Sequence, residues 1–298
     1  MRCPGPSLLA LAAAIGLATS AQGLIVFGYN AAVNERFSSG FSSSPVANTD
    51  SSFLGAGLDF SGVGWLSANS QFSLALVSPQ HFVITAHTAP TAGASVSFFN
   101  QAGVVKTYTV DSVTVITHTA GVNTDIAIGR LTAPIAGADQ ITSYPFFQLS
   151  TFNAYLGRSL LVYGQNGRIG TNTLDTIFLN ADLLPFGGGN GVADSTLFST
   201  DHDSATNETQ GESGDSGSPT FITSGSTLAL VGIHSAIDTA PTPDLTFDSF
   251  VPNYFSQINS LLSADGFSLQ AIPEPSSWGA LAGLAGLAMV LRRRAGRL

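Results

Sequence analysis

An all-β fold follows from three observations. Charged residues make up only 10% of the chain, against about a quarter in average domains. Glycine is abundant at 32 residues, and serine and threonine are plentiful. Between them, short apolar runs recur, each broken by Gly, Pro, Asn or Ser. That spacing suits a β-barrel or a sandwich, and not βαβ units or a helical bundle.

The elements can be taken in chain order. Met1 and Arg2 precede the apolar stretch Ser7 to Ala18, and small residues follow at Ala21-Gln22-Gly23. This is the pattern of a signal peptide over residues 1–23, cleaved after Ala21 or after Gly23. Residues 24–54, rich in Ser, Asn and Gly, read as an extended N-terminal segment. Strands are expected at Phe72–Val77, Phe82–Thr85, Val96–Phe99, Val104–Val110, Val113–Thr117 and Ile126–Leu131, within a first unit spanning residues 55–142. A second unit, residues 143–263, holds Leu160–Tyr163, Thr173–Leu179, Pro219–Ile222 and Leu228–Ile233. One helix is predicted, Pro252 to Leu262, with proline at its start and apolar residues at Tyr254, Phe255, Ile258, Leu261 and Leu262.

The C-terminal residues 272–298 carry Ile272-Pro273-Glu274-Pro275-Ser276, then an apolar run from Trp278 to Leu291, then Arg292-Arg293-Arg294. As a helix the run is about 21 Å long, short of the ~30 Å hydrocarbon core, so it is marginal as a permanent anchor. It suits a transient transmembrane helix with the arginines kept inside. In order and in kind these features resemble the PEP-CTERM sorting signal of Gram-negative bacteria. The resemblance implies an exosortase-type processing enzyme as partner, and delivery to the cell surface or extracellular matrix.

Charge and cysteine content exclude several classes. The formal net charge is −9, and the body between the terminal segments has only Arg36, Lys106, Arg130, Arg158 and Arg168 as strong cations. An acidic body argues against nucleic acid and anionic membrane as partners. The only cysteine is Cys3, inside the signal peptide, so no disulfide, thiol catalyst or cysteine metal site is expected in the mature chain.

Acyl transfer by serine needs a nucleophile, a base, an acid that orients the base, and donors for the oxyanion. The nucleophile candidate is Ser216 in Gly214-Asp215-Ser216-Gly217-Ser218-Pro219, where a glycine at 214 lets the amides of Gly214 and Ser216 face one oxyanion. The base candidate is His87, where the strand Phe82–Thr85 runs into a short turn. His81 is expected to face solvent and His118 to lie on the surface. The acid is Asp125, which opens an apolar strand and, if buried, requires a partner.

Thr85-Ala86-His87, Asp125-Ile126-Ala127 and Gly214-Asp215-Ser216-Gly217-Ser218-Pro219 resemble, in order, the three signature blocks of the chymotrypsin/trypsin serine protease family. Leu230-Val231-Gly232-Ile233-His234-Ser235 and Val251-Pro252-Asn253-Tyr254 add two supporting matches. The resemblance spans roughly residues 55 to 263. It implies two packed antiparallel β-barrels with a short C-terminal helix, a secreted monomeric endopeptidase acting on protein or peptide substrates, and no cofactor or metal. Two departures stand out: Thr88 replaces the family's cysteine, and activation by a new N-terminus at Ile25, pairing with Asp215, would need an unusually long segment before His87.

For specificity the resemblance points to Gln210, Ser213, His234 and Ser235 as pocket residues. Gln210 replaces the aspartate of trypsin-like members and argues against cleavage after Lys or Arg. Gly232-Ile233-His234-Ser235 is similar to the pocket strand of glutamyl endopeptidases, which implies an acidic P1 side chain; a structural role for His234 is the alternative. Ser235 resembles the serine that steadies the triad aspartate. Asp201-His202-Asp203, with Glu208 and Glu212, reads as a solvated acidic loop and not as a calcium site. Two other functions remain open: a catalytically silent protease-fold binding module of the cell surface, and an ester hydrolase.

Overall fold

The computed structural model describes residues 23–118, 122–181, 195–238 and 245–273. Nearly all of the expected signal peptide and of the expected sorting signal lies outside them.

The segment before the first barrel is more than extended chain. It holds β1 (Ile25–Val26), the short helix α1 (Ala31–Asn34), β2 (Phe37–Ser39) and β3 (Val46–Ala47). Asn30 caps the helix by accepting from the Ala32 amide at 3.0 Å. Leu24 and Val26 are buried among Phe147, Leu149 and Tyr155 of the second barrel. Arg36 fastens the segment at three points, because its buried guanidinium donates to Val63 O, Phe99 O and the Tyr163 hydroxyl. The same group lies 4.7 Å from the Phe37 ring centroid, so aromatic faces share in compensating its charge.

The first barrel is made of β4 (Val63–Leu66), β5 (Asn69–Ser78), β6 (His81–Thr85), β7 (Ser95–Phe99), β8 (Val105–Thr117) and β9 (Asn123–Leu131). It closes in the order β4-β5-β6-β9-β8-β7, with antiparallel pairing throughout. Leu74, Leu76, Phe82, Ile84, Val96, Phe98 and Leu131 fill its interior, each contributing roughly 1.5–3 kcal/mol of burial. Gly129 is required here: a Cβ at that position would stand 2.0 Å from the Phe82 ring. The two runs expected at Val104–Val110 and Val113–Thr117 form one long strand, β8, whose register shifts take up the irregular apolar spacing.

The second unit contains β10 (Phe146–Gln148), β11 (Ser159–Tyr163), β12 (Ile169–Thr173), β13 (Thr176–Ala181), β14 (Ser195–Thr200), β15 (Thr209–Gln210), β16 (Pro219–Ser224), β17 (Thr227–Asp238), β18 (Leu245–Phe250), α2 (Phe255–Ala264) and β19 (Ala271–Pro273). Its main sheet runs β12-β11-β16-β17-β18-β14-β13. The sheet curls into a half-barrel, and β10 joins it parallel to β17. The expected strand Thr173–Leu179 divides into β12 and β13, with Leu174 fully buried at the break. The predicted helix begins as a 3-10 turn, Val251–Tyr254, and continues as α2, burying Ile258 and Leu262.

One apolar core joins the two units. Val63, Ala75, Val83, Ile126 and Ile128 pack in the same cluster as Tyr163, Phe221, Leu230 and Ile233. It brings the end of β6 and the start of β9 beside the turn that precedes β16.

Candidate active site

His87 is the middle residue of a 3-10 turn, Ala86–Thr88, that ends β6. A 2.6 Å hydrogen bond between the Thr85 and Thr88 hydroxyls braces the turn. Asp125, near the start of β9, is 1% exposed. Its carboxylate accepts from the His87 amide at 3.1 Å and from His87 Nδ1, which lies 2.9 Å from both oxygens. That pairing puts the ring proton on Nδ1 and leaves Nε2 as an acceptor. Nε2 lies 2.9 Å from Ser216 Oγ, so the serine hydroxyl donates to it.

The turn carrying Ser216 is stapled to β17: Gly217 N donates to His234 O at 3.0 Å, and His234 N to Ser218 O at 2.9 Å. Gly214 has φ +105°, a left-handed conformation that glycine tolerates and a side chain does not. Among the described residues, the amides of Gly214 and Ser216 have no acceptor.

Asp215 is buried behind this turn, and burial pushes its carboxyl pKa up. Three backbone amides compensate: Leu24 at 3.3 Å, Gln165 at 2.8 Å and Glu212 at 2.7 Å. Leu24, and not Ile25, is therefore the residue that reaches Asp215. Ile25 is 36% exposed and pairs with Gln210 at the sheet edge; with strand alternation it turns away from the residue that precedes it.

Two adjoining cavities border Ser216 and share His87, Glu212, Ser213 and Gly214 in their walls. The larger, about 530 Å³, is lined by Gln71, Phe72, His87, Thr88 and Glu212 together with Ser213, Gly214 and Ser216. The smaller, about 220 Å³, is lined by Ser213, His234, Ser235, Ala236 and Ile237. Gln210 is not in its wall; it sits in β15 opposite Ile25. His234 Nδ1 faces Asp248 Oδ1 at 3.3 Å, and Asp248 also accepts from the Thr220 hydroxyl. Burial pulls the His234 pKa down, but the Asp248 bond and the charges of Asp248 and Asp215 outweigh it and leave it raised.

Three expectations are corrected. His81 is buried, with its ring between Ser78 Oγ at 2.8 Å and Asp265 Oδ2 at 3.0 Å. His118 is 8% exposed and contacts the Tyr254 hydroxyl and Asn180. Both rings found polar partners far away in sequence, which removes the cost of burying them. Ser235 does not hold Asp125; its hydroxyl bonds Ile233 O and Ser249 Oγ. The serine next to Asp125 is Ser195, whose Oγ accepts from the Asp125 amide at 3.2 Å.

In the acidic loop, Asp201, Asp203 and Glu208 bring carboxylate oxygens within 4.8 Å of one another. Glu208 is buried, and its Oε2 accepts from the Ala205 amide. Glu212 instead lines the cavities at Ser216. Sequence reasoning passed over Glu212, Ser195, Leu24 and Asp248 as parts of the site. Only Glu212, next to the glycine-rich turn, had a local signal.

The closed barrel, the curled half-barrel and the C-terminal helix are consistent with a chymotrypsin-like fold. No known protein family matches the chain, and no curated protein matches it. Among the described residues no helix is long and apolar enough to cross a membrane; the run 278–291 lies outside them.

Proposed function

We propose that the protein is a serine endopeptidase that cleaves peptide bonds through an acyl-enzyme on Ser216. The observation that carries this reading is the unbroken chain Ser216 Oγ to His87 Nε2, then His87 Nδ1 to Asp125, with 2.9 Å at each link. It opens onto a cleft beside the Gly214 and Ser216 amides, which have no acceptor among the described residues.

In this mechanism Ser216 Oγ attacks the scissile carbonyl while its proton passes to His87 Nε2. Asp125 stabilises the imidazolium that results, and the oxyanion accepts from the Gly214 and Ser216 amides. Each such donor is worth about a hundred- to a thousand-fold in rate. Collapse breaks the C–N bond, and His87 returns the proton to the leaving amine. Water repeats the sequence on the ester and restores Ser216. Two adjoining cavities at Ser216, about 530 and 220 Å³, give room for more than one substrate residue, which favours a peptide over a simple ester.

At P1 this reading assigns an acidic side chain. His234 borders the smaller cavity, and Asp248 behind it favours the protonated ring, which can donate to a carboxylate. The terminal segments extend the proposal. The signal peptide exports the chain, and an exosortase-type enzyme processes its tail at the cell surface or extracellular matrix of a Gram-negative bacterium. The enzyme acts as a monomer without a cofactor.

The test is hydrolysis of casein and of a peptide library by the full chain and by Ser216→Ala. Peptide release by the wild type, absent from the variant, supports the reading. Equal release by both, or none by either, overturns it, and the latter outcome points to a binding module. Enrichment of Glu or Asp at P1 among the cleaved peptides supports the pocket assignment, and its absence overturns that part.

A further inference from the structure

Glu212 stands four residues before Ser216, and its backbone is held at both ends. Its N–H donates to Asp215 Oδ2 at 2.7 Å, and its carbonyl accepts from the Asp215 amide at 3.1 Å. The side chain takes no part in that turn. Among the described residues its carboxylate has neither a hydrogen bond nor an ion pair, although it is half-buried. It borders both cavities beside the nucleophile. In the larger one, between β5 and the catalytic turn, the other lining groups are Gln71, Phe72, Thr88, Ser213, Gly214 and the catalytic His87 and Ser216, so Glu212 supplies the only carboxylate.

The leaving amine must collect its proton from His87 Nε2. The residues that follow the scissile bond therefore run past His87 and Thr88 into the larger cavity, which Gln71 and Phe72 close on the far side. We infer that Glu212 selects substrate charge on the leaving-group side, favouring a Lys or Arg side chain in the first or second residue after the scissile bond and opposing Glu or Asp there. This inference rests on the endopeptidase reading.

An incoming cation would meet a carboxylate that nothing yet compensates. Burial, together with the neighbouring Asp215 charge, already pushes the Glu212 pKa up, as expected of an acid short of positive partners. The same carboxylate also borders the smaller cavity, where the protonated His234 ring faces the P1 residue. The two cavities are kept apart by holding P1 constant.

The test uses the full chain and peptides with Glu at P1, the residue the pocket assignment calls for, that carry Lys, Ala or Glu at either of the two following positions. For the wild type, kcat/KM with Lys should exceed that with Glu about tenfold at one of these positions. E212Q should bring that ratio to within about twofold, and E212K should reverse it. A purely structural role for Glu212 would lower all three substrates together and leave the ratio alone. An unchanged ratio in variants that still cleave the Ala peptide overturns the inference. Loss of cleavage of every peptide by the wild type overturns the endopeptidase reading instead.

Discussion

Among the described residues two Ser–His–Asp arrays stand at opposite ends of the same strand, β6, and only one of them has the arrangement that the proposed mechanism requires. At its end, His87 presents Nδ1 to Asp125 and Nε2 to Ser216. At its start, His81 does the reverse, with Nδ1 on Ser78 and Nε2 on Asp265. The distances are alike, so distance is not what separates them. Ser78 and His81 are each 2% exposed, and no carbonyl of a substrate can reach that hydroxyl. Ser78 Oγ already accepts from the amides of Gln80 and His81, which draws electron density away from a nucleophile. Asp265 is also shared, taking two hydrogen bonds of 2.8 Å from Arg130, whereas the Asp125 carboxylate serves His87 alone. A triad is therefore defined by access, by an undivided carboxylate and by waiting oxyanion donors.

The largest expected difference is between the two serines. Ser216→Ala should lower kcat about a million-fold. Ser78→Ala should leave kcat within about twofold, since distant sites act independently, while costing about 1–3 kcal/mol of stability through the buried polar groups it strands. Chemical denaturation and peptide hydrolysis on the same two variants check both statements. A Ser78→Ala enzyme as inactive as Ser216→Ala would break the comparison.

Next come the carboxylates. Asp125→Asn should cost about ten-thousand-fold in kcat, because the amide favours the wrong ring tautomer. Asp265→Asn should lower the melting temperature by releasing Arg130 and His81, with kcat little changed. Smaller again is the effect of the N-terminal segment. A chain beginning at Ile25 lacks the Leu24 amide that faces Asp215, and kcat should fall about tenfold for the loss of one hydrogen bond to a buried carboxylate. Equal kcat for chains beginning at Leu24 and at Ile25 would set this segment outside the catalytic account.

The smallest effects are in pH dependence, where two of the buried histidines, His81 and His234, have opposite signs. The His81 pKa lies below its ordinary value, chiefly through burial, with Asp265 offsetting part of it. The unfolded chain then binds the proton more readily, so His81 contributes stability above about pH 6.5 that is lost as the pH falls through the folded value. The His234 pKa is raised, so its contribution is complete below about pH 6.5 and is lost as the pH rises through the folded value. Denaturant midpoints from pH 5 to 8 should show His81→Gln flattening the acidic side and His234→Gln the alkaline side. Identical profiles for both variants would contradict the assignment of partners.

What could be read from the sequence follows from how local each feature is. His87, Asp125 and Ser216 sit in short segments whose glycine, strand and turn chemistry is written within a few residues. The apolar runs of β5, β6, β7 and β9 carry their strand signal in the same way. His81 is expected to face solvent and is buried instead, because a histidine opening a strand looks the same whether or not Asp265, 184 residues on, returns to meet it. Ser195 likewise reaches the Asp125 amide from 70 residues away. The N-terminal segment looked featureless because its strands are two or three residues long. Arg36 shows its clamp only once Val63, Phe99 and Tyr163 surround it.

The most direct measurement is mass-spectrometric mapping of the adduct formed when the full chain reacts with a fluorophosphonate. The account predicts one adduct, on Ser216, lost in Ser216→Ala and kept in Ser78→Ala. Failure of the wild type to label, or an adduct on any other serine, would contradict it.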